Sequence, residues 1–357
     1  MLYAVIMAGG AGTRLWPLSR RRQPKQTIPI AGGASLFQRA IERMKGLVAP
    51  ERTLVITNAD LVGLLRSQAP GIPAGNIIGE PFGRDSAPAV FLAAAIIAHR
   101  DKNAVFLVAP ADHLIAPRAK FQAAARKAAR IAAKEKVLVT FGIRPEYPAT
   151  VYGYIERGEK MRGAGGAFQV RRFHEKPGVA TARRYVKDGR YYWNSGMFVW
   201  RAETILAAAR KYSSEHARAI EPLGALFGTR EFAAALKKAY AGMKKTSVDY
   251  AVMEKATNVV MVEADFEWSD VGSPAAMRKY ARGDKAGNVR QGLTELHEST
   301  GCITVSDDEH LLAVFGCDNM VVIHTADATL VCPAERAEEI KALIAVIERR
   351  EELKKFL

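Results

Sequence analysis

The chain has 357 residues, 49% hydrophobic and 25% charged, with 52 Lys and Arg against 37 Asp and Glu for a net charge of +15. This is enough for one large domain plus a smaller one with a full core, and no apolar run is long enough to span a bilayer. The positive charge admits anionic partners, but along segments such as "AKFQAAARKAARIAAKEK" it reads as solvated helix face, so neither a nucleic-acid nor a membrane partner is expected.

The N-terminal "LYAVIM" reads as a buried strand. It is too short for a signal-peptide core and no basic residue precedes it, so a cytoplasmic protein is expected. The strand runs into "AGGAGTR", where Gly9, Gly10 and Gly12 let backbone N–H groups approach an anion. A dinucleotide fingerprint fails because Leu15 stands where its third glycine belongs, and no Gly-Lys-Ser/Thr follows at P-loop spacing. A purely structural glycine turn also fits this spacing. Arg14 and Lys25 would place two cations beside such a loop, suited to charge building up on a leaving pyrophosphate. Arg20, Arg21 and Arg22 read as surface residues.

"SLFQRAIERMKGL" has helical spacing with Ser35 as N-cap, "TLVITN" is a strand, "ADLVGLLRSQA" a helix and "NIIGE" a short strand. "SAPAVFLAAAIIAHR" is an apolar helix starting at Ser86. "AVFLVAP" is a strand, followed by the Ala-rich helix and the strand "KVLVTFG". Alternating apolar strands and helices predict a mostly parallel sheet covered on both faces. Asp112 follows "AVFLVAP" directly, at the carboxyl end of a strand where ligands bind in open α/β sheets. Asp270, in "EWSDVGS", follows another strand. Two such aspartates plus phosphate oxygens suit a magnesium ion, though single loop aspartates also serve as turn or cap residues.

Beyond residue 145 glycine and aromatic residues become dense in "YGYIERG", "GAGGAFQVRRFHEKPG" and "YYWNSGMFVWR", which reads as longer strands and loops capping the sheet. Helices follow from about 202 to 255, then the strand "NVVMVEA". After "DKAGN" the chain turns short and β-like through "CITVS", "LLAVFG", "MVVIHTAD" and "TLVCP". Cys302, Cys317 and Cys332, 15 residues apart, read as inward-facing positions of successive strands in a reducing compartment. A last helix from about Pro333 carries Ile340, Leu343, Ile344 and Ile347 at i, i+3, i+4, i+7 spacing, for its own chain or a second copy.

The stretches "MAGGAGTRLWPLSR", "PKQ", "EPFGRDSAPAV", "PADH", "YGYIERG", "FHEKP", "WNSGMF", "SVDYAVMEK" and "WSDVGS" carry a resemblance. Over about residues 1–280 the chain resembles the sugar-1-phosphate nucleotidylyltransferases, and within them the mannose-1-phosphate guanylyltransferase branch in its short form, without an isomerase domain. The resemblance implies a Rossmann-like three-layer α/β nucleotidyltransferase domain over 1–285. It also implies a small C-terminal region over 286–357, like a left-handed β-helix with a terminal helix. The implied reaction transfers GMP from GTP to mannose-1-phosphate, with Mg²⁺ as cofactor, and yields GDP-mannose and pyrophosphate. A homodimer is implied as well.

By the same resemblance Ala8, Gly9, Gly10, Gly12, Thr13 and Arg14 hold the nucleotide phosphates, and Lys25 lies on the α-phosphate. Glu80, Ser86 and Ala87 lie against the guanine. Asp112 and Asp270 coordinate the metal. Gly153, Glu175, Asn194 and Asp249 contact the mannose and Lys176 its phosphate. "GRDS" departs from the Gly-Arg-Asn-Thr often found in the base loop, and His174 stands where an apolar residue is common. The residues alone leave other roles open: Asn194 and Gly196 as a turn before "MFVW", Glu175 and Lys176 as a surface pair, Asp249 as a helix cap, Tyr152 and Tyr154 as packing. Transfer to another sugar-1-phosphate or from another nucleotide, and a non-catalytic nucleotide-sugar-binding regulator, are the alternative functions.

Overall fold

The apolar runs of the first 145 residues form strands and the segments between them helices. In order these are β1 (Leu2–Met7), α1 (Leu36–Met44), β2 (Thr53–Asn58), α2 (Val62–Gln68), β3 (Ile77–Glu80), α3 (Ser86–Arg100), β4 (Val105–Pro110), β5 (Leu114–Ala116), α4 (Arg118–Lys134) and β6 (Leu138–Ile143). The structure, a computed structural model, describes all residues except 11, 30–32, 164–165, 280, 282 and 307–308. Ala11 of the first glycine motif therefore lies outside the described residues. There follow β7 (Tyr154–Lys160), β8 (Ala167–His174), α5 (Val179–Asp188), β9 (Tyr191–Arg201), α6 (Ala202–Tyr212), α7 (Ser214–Ile220), α8 (Leu223–Leu226), α9 (Phe232–Ala241), β10 (Val259–Glu263) and β11 (Glu267–Ser269).

Nine strands make one mixed sheet in the order β3-β2-β1-β4-β9-β6-β10-β8-β7. Strands β3, β2, β1 and β4 run parallel, with Val55 opposite Ile77, Ala4 opposite Thr53 and Leu2 opposite Val105. Their near-continuous apolar character follows from burial on both faces. Strand β9 lies antiparallel between β4 and β6. The aromatic segment "YYWNSGMFVWR" is thus central to the sheet rather than a cap over it. Its bulky side chains fill both faces: Phe198 and Trp200, two residues apart and so on one face, stack with ring centroids 5.0 Å apart.

The chain divides into two compact units, one of residues 1–9, 40–110 and 115–268 and one of residues 10–39, 111–114 and 269–357. In the first, α3 is buried along its length from Ala87 to Ile97, as its lack of a polar face requires. Ser86 is its first helical residue, as the sequence predicts. Asp85 caps it, at φ 68°, with its carboxylate accepting from the Ser86 N–H at 2.8 Å. Ser35 caps α1 as its position predicts, in a reciprocal pair: its Oγ accepts from the Gln38 N–H at 3.1 Å, and Gln38 Oε1 accepts from the Ser35 N–H at 3.0 Å.

In the second unit, β12 (Val289–Gln291), β14 (Ile303–Ser306) and β16 (Met320–Thr325) stack in parallel, as do β13 (Thr294–His297) and β15 (Leu312–Phe315). The chain coils in β-helix-like fashion, and β17 (Ala328–Pro333) closes the stack antiparallel to β16. Ile303, Val321 and Ile323 share a core with Leu15, Trp16, Leu18 and with Ile340, Ile344 and Ile347 of α10 (Ile340–Glu348). The apolar stripe of α10 therefore packs on its own chain, except that Leu343 stays exposed. The cysteine interval does not make three equivalent interior positions. Cys302 is buried, whereas Cys317 and Cys332 are half-buried, and all three are free thiols.

Candidate active site

Strand β1 delivers the chain into the glycine loop at its carboxyl end. Gly12 sits at φ 59° and leads the single 3₁₀ turn Thr13–Leu15. A Cβ on Gly12 would lie 2.1 Å from Lys25 Cβ, so only glycine lets the two stretches of loop meet. Ser19 Oγ donates to the Gly12 carbonyl at 2.7 Å and Gln26 Nε2 to the Gly10 carbonyl at 3.4 Å, closing the loop on itself. Arg14 is half-buried and has no hydrogen-bond or ion-pair partner among the described residues.

Lys25 is buried, and its ammonium donates to Asp112 Oδ2 at 2.9 Å and to the Asp270 carbonyl. Three residues far apart in sequence are thus gathered at one point. Burial opposes the Asp112 charge, but the Lys25 ammonium and the neighbouring His113 together offset it and hold the carboxyl below its ordinary range. Asp270 Oδ1 accepts from the Gly272 N–H at 3.1 Å. Between them Val271 is fully buried at φ 46°, a left-handed conformation rare for a β-branched residue. Lys176 at φ 36° and Asp85 share the positive sign. All three lie beside expected site residues, where such strain tends to collect.

A second group lies within the other unit. Asn194 Nδ2 donates to Asp249 Oδ1 at 2.7 Å, and the Asn194 N–H to the Gly153 carbonyl at 2.8 Å. Asn194 belongs to β9 itself, and Gly196 (φ 67°) lies on the same strand, so these residues do not form a turn before it. Asp249 opens a π-helical turn, Asp249–Met253, without capping it. Burial pushes its carboxyl up to about 6; the Asn194 bond opposes this and the nearby Glu175 charge adds to it. A Cβ on Gly153 would stand 2.7 Å from Glu175 Oε2, so the Glu175 carboxylate lies directly against the Gly153 backbone. Lys176 pairs with Glu175 at 2.8 Å and is largely exposed. Tyr152 packs edge-on against Trp193 and Trp268, while Tyr154 is buried with its hydroxyl on the Ala149 carbonyl. Gly153, Glu175, Lys176, Asn194 and Asp249 thus come together as a set of acceptors, one amide and one ammonium, suited to hydroxyl groups.

Glu80 ends β3 and is buried, with Oε1 lacking a hydrogen-bond partner among the described residues. Burial pushes its carboxyl up to about 7, against the opposing effect of the Tyr240 hydroxyl beside it. Ser86 and Ala87 are committed elsewhere: Ser86 Oγ accepts from the Val248 N–H at 3.0 Å, and the Ala87 N–H donates to the Thr246 carbonyl at 3.1 Å. They hold the turn that leads into Asp249. Arg84 caps the end of α9 through the Tyr240 and Ala241 carbonyls at 3.0 and 2.9 Å. The Ala8 carbonyl accepts from Thr57 Oγ1 at 2.9 Å.

Gln26 and Tyr240 are absent from the sequence reading. Gln26 was within reach, since it completes "PKQ". Tyr240 had no signal, as one aromatic residue in an Ala- and Lys-rich helix reads as packing.

Residues 3–287 match the family model described as "Nucleotidyl transferase", and residues 297–347 match a "MannoseP isomerase/GMP-like beta-helix domain". The chain is 39% identical over 355 residues to a mannose-1-phosphate guanylyltransferase of Klebsiella pneumoniae, covering 98% of this chain and 75% of that one. It is 39% identical over 348 residues to the xanthan biosynthesis protein XanB of Xanthomonas campestris pv. campestris (strain B100), covering 96% and 73%. A crystal structure from Thermus thermophilus, described as "mannose-1-phosphate geranyltransferase", superposes with a TM-score of 0.87 at 35% identity, over 97% of this chain and 99% of that one.

Proposed function

The chain belongs to the nucleotidyl transferase family, and from that premise we propose that it transfers GMP from GTP to mannose-1-phosphate. The observation that carries the transfer chemistry is the buried Lys25 ammonium held on both Asp112 and Asp270 behind the glycine loop. The choice of mannose and guanine is supported by the names of the 39%-identical relatives.

An oxygen of the sugar phosphate attacks the α-phosphorus of GTP in line with the departing pyrophosphate. The new P–O bond forms as the bond to the bridging oxygen breaks, and its electron pair leaves with pyrophosphate. The nucleophile is already anionic, so no general base or covalent intermediate is needed. The work of the chain is to align two anions and offset their repulsion. Arg14, a cation without a partner among the described residues, binds the β- and γ-phosphates with the N–H groups of Gly9, Gly10, Gly12 and Thr13. Lys25 sits on the α-phosphate, kept in place by Asp112.

The Asp112 carboxylate, which already holds the Lys25 cation, and the Asp270 carboxylate would form an oxygen-only donor set that fits a magnesium ion, with its remaining ligands from phosphate and water. Such an ion, when bound, supplies charge neutralisation across the α-phosphate and the leaving group. Glu80 Oε1 accepts from the guanine edge. Glu175, Asn194 and Asp249 bind the mannose hydroxyls, and Lys176 exchanges Glu175 for the sugar phosphate. Residues 1–285 supply these groups and 286–357 form the smaller region of a cytoplasmic homodimer. A matrix of nucleoside triphosphates against sugar-1-phosphates, read by pyrophosphate release, tests the reading. GTP with mannose-1-phosphate should be fastest. A faster pair overturns the specificity, and silence throughout points to a regulator that binds without reacting.

A further inference from the structure

The chain segment after α10 grips the glycine loop. Trp16 Nε1 donates to the Phe356 carbonyl at 2.7 Å across 340 residues of sequence. The Arg21 N–H donates to the Leu357 carbonyl at 2.9 Å. Leu353 and Leu357 pack on the core that contains Leu15, Trp16 and Leu18. One turn of chain away, Arg20 reaches Asp327 Oδ1 at 2.5 Å and Thr325 Oγ1 at 3.3 Å, with its guanidinium 5.5 Å from the Trp16 ring centroid. The Arg20 side chain is 16% exposed but Asp327 is 49% exposed, so this pair is only partly sheltered from solvent screening. Arg20 is therefore a tie to the C-terminal region rather than a free surface cation, whereas the Arg21 side chain is exposed as expected and the tie there is its backbone N–H.

These contacts fall on the stretch that determines where Arg14 and Lys25 sit. Arg14 lies two residues before Trp16, and Lys25 four residues after Arg21. Lys25 is held against Gly12 by a contact that leaves no room for a methyl group, and Ser19 bonds back to Gly12. A shift of the loop at Trp16 therefore carries both cations with it. Misplacement of about 1 Å is enough to cost on the order of 10²-fold in a reaction that depends on alignment.

We propose that the segment 351–357, acting through Trp16 and Arg21, is a positioning element that holds the loop bearing Arg14 and Lys25 in its reactive conformation. This rests on the transfer reaction proposed above, and its test carries a readout independent of that reaction. The variants are deletion of residues 351–357 and, should the deletion fail to fold, Trp16→Phe, which keeps the ring packing and removes the N–H donor. The first readout is the rate of tryptic cleavage at Arg20, Arg21 and Arg22, which should rise tenfold or more in the deletion and severalfold in Trp16→Phe. The second is turnover at saturating substrates, which should fall tenfold or more and severalfold respectively, with the KM for mannose-1-phosphate within twofold of the parent. Unchanged cleavage, or faster cleavage with turnover within twofold of the parent, overturns the proposal. A parent enzyme that releases no pyrophosphate from any substrate pair overturns the reaction, while the cleavage rates still report whether the segment braces the loop.

Discussion

Glu80 and Asp249 are buried acids whose carboxyls are raised, to about 7 and about 6. An acid with a raised pKa binds its proton more tightly in the folded protein than in the unfolded chain. Stability contributed by Glu80 therefore falls as pH rises from its ordinary 4.5 to about 7. Glu80→Gln should stabilise the protein at pH 8 by up to about 3 kcal/mol, seen in chemical denaturation. The same change should raise the KM for GTP roughly tenfold through the lost charge-assisted bond. A destabilised variant with normal GTP affinity would reverse both expectations. If Asp249 binds the sugar as proposed, its ionised form is the acceptor, so the KM for mannose-1-phosphate should rise as pH falls below about 6. Asp249→Asn should flatten that rise in a pH profile. Gly12→Ala combines a positive φ with a Cβ 2.1 Å from Lys25. Its turnover should fall tenfold or more, and a near-parent rate would mean that Lys25 is not seated by this contact.

Elements divide by how local their causes are. The Ser35 cap was legible because a cap needs only a few neighbouring residues; Ser35→Ala should cost about 1 kcal/mol in a melting experiment and leave turnover unchanged. The start of α3 at Ser86 was legible, but its cap was not, because Asp85 takes a positive φ that non-glycine residues seldom adopt. The parallel strands were legible from continuous apolar runs. Strand β9 was misread as a cap because its glycine and aromatic content signals irregular structure, while its place between β4 and β6 is a matter of long-range pairing. The π-helical turn at Asp249 and the strained Val271 leave no periodicity to find.

For the chain as a whole, the net charge of +15 attracts anionic substrates over a distance that salt shortens to about 10 Å at 0.1 M. The kcat/KM for GTP should therefore fall severalfold from about 50 to 500 mM KCl, with kcat nearly constant; a salt-independent kcat/KM would remove the steering. Composition suggested that charge but not where the arginines go. That Arg20 and Arg21 meet residues some 300 positions away became visible only in three dimensions, because residues 10–39 and 269–357 share one unit. A cation role for Lys25 was legible from its place after the glycine loop, whereas spacing alone favoured turn or cap roles for Asp112 and Asp270, and their metal reading came from motif resemblance. Steady-state pyrophosphate release by Lys25→Ala, with GTP, mannose-1-phosphate and Mg²⁺ all saturating, probes this cluster most directly. A fall of about 10² to 10³ in turnover with unchanged circular dichroism is the result predicted, and turnover within fivefold of the parent would contradict it.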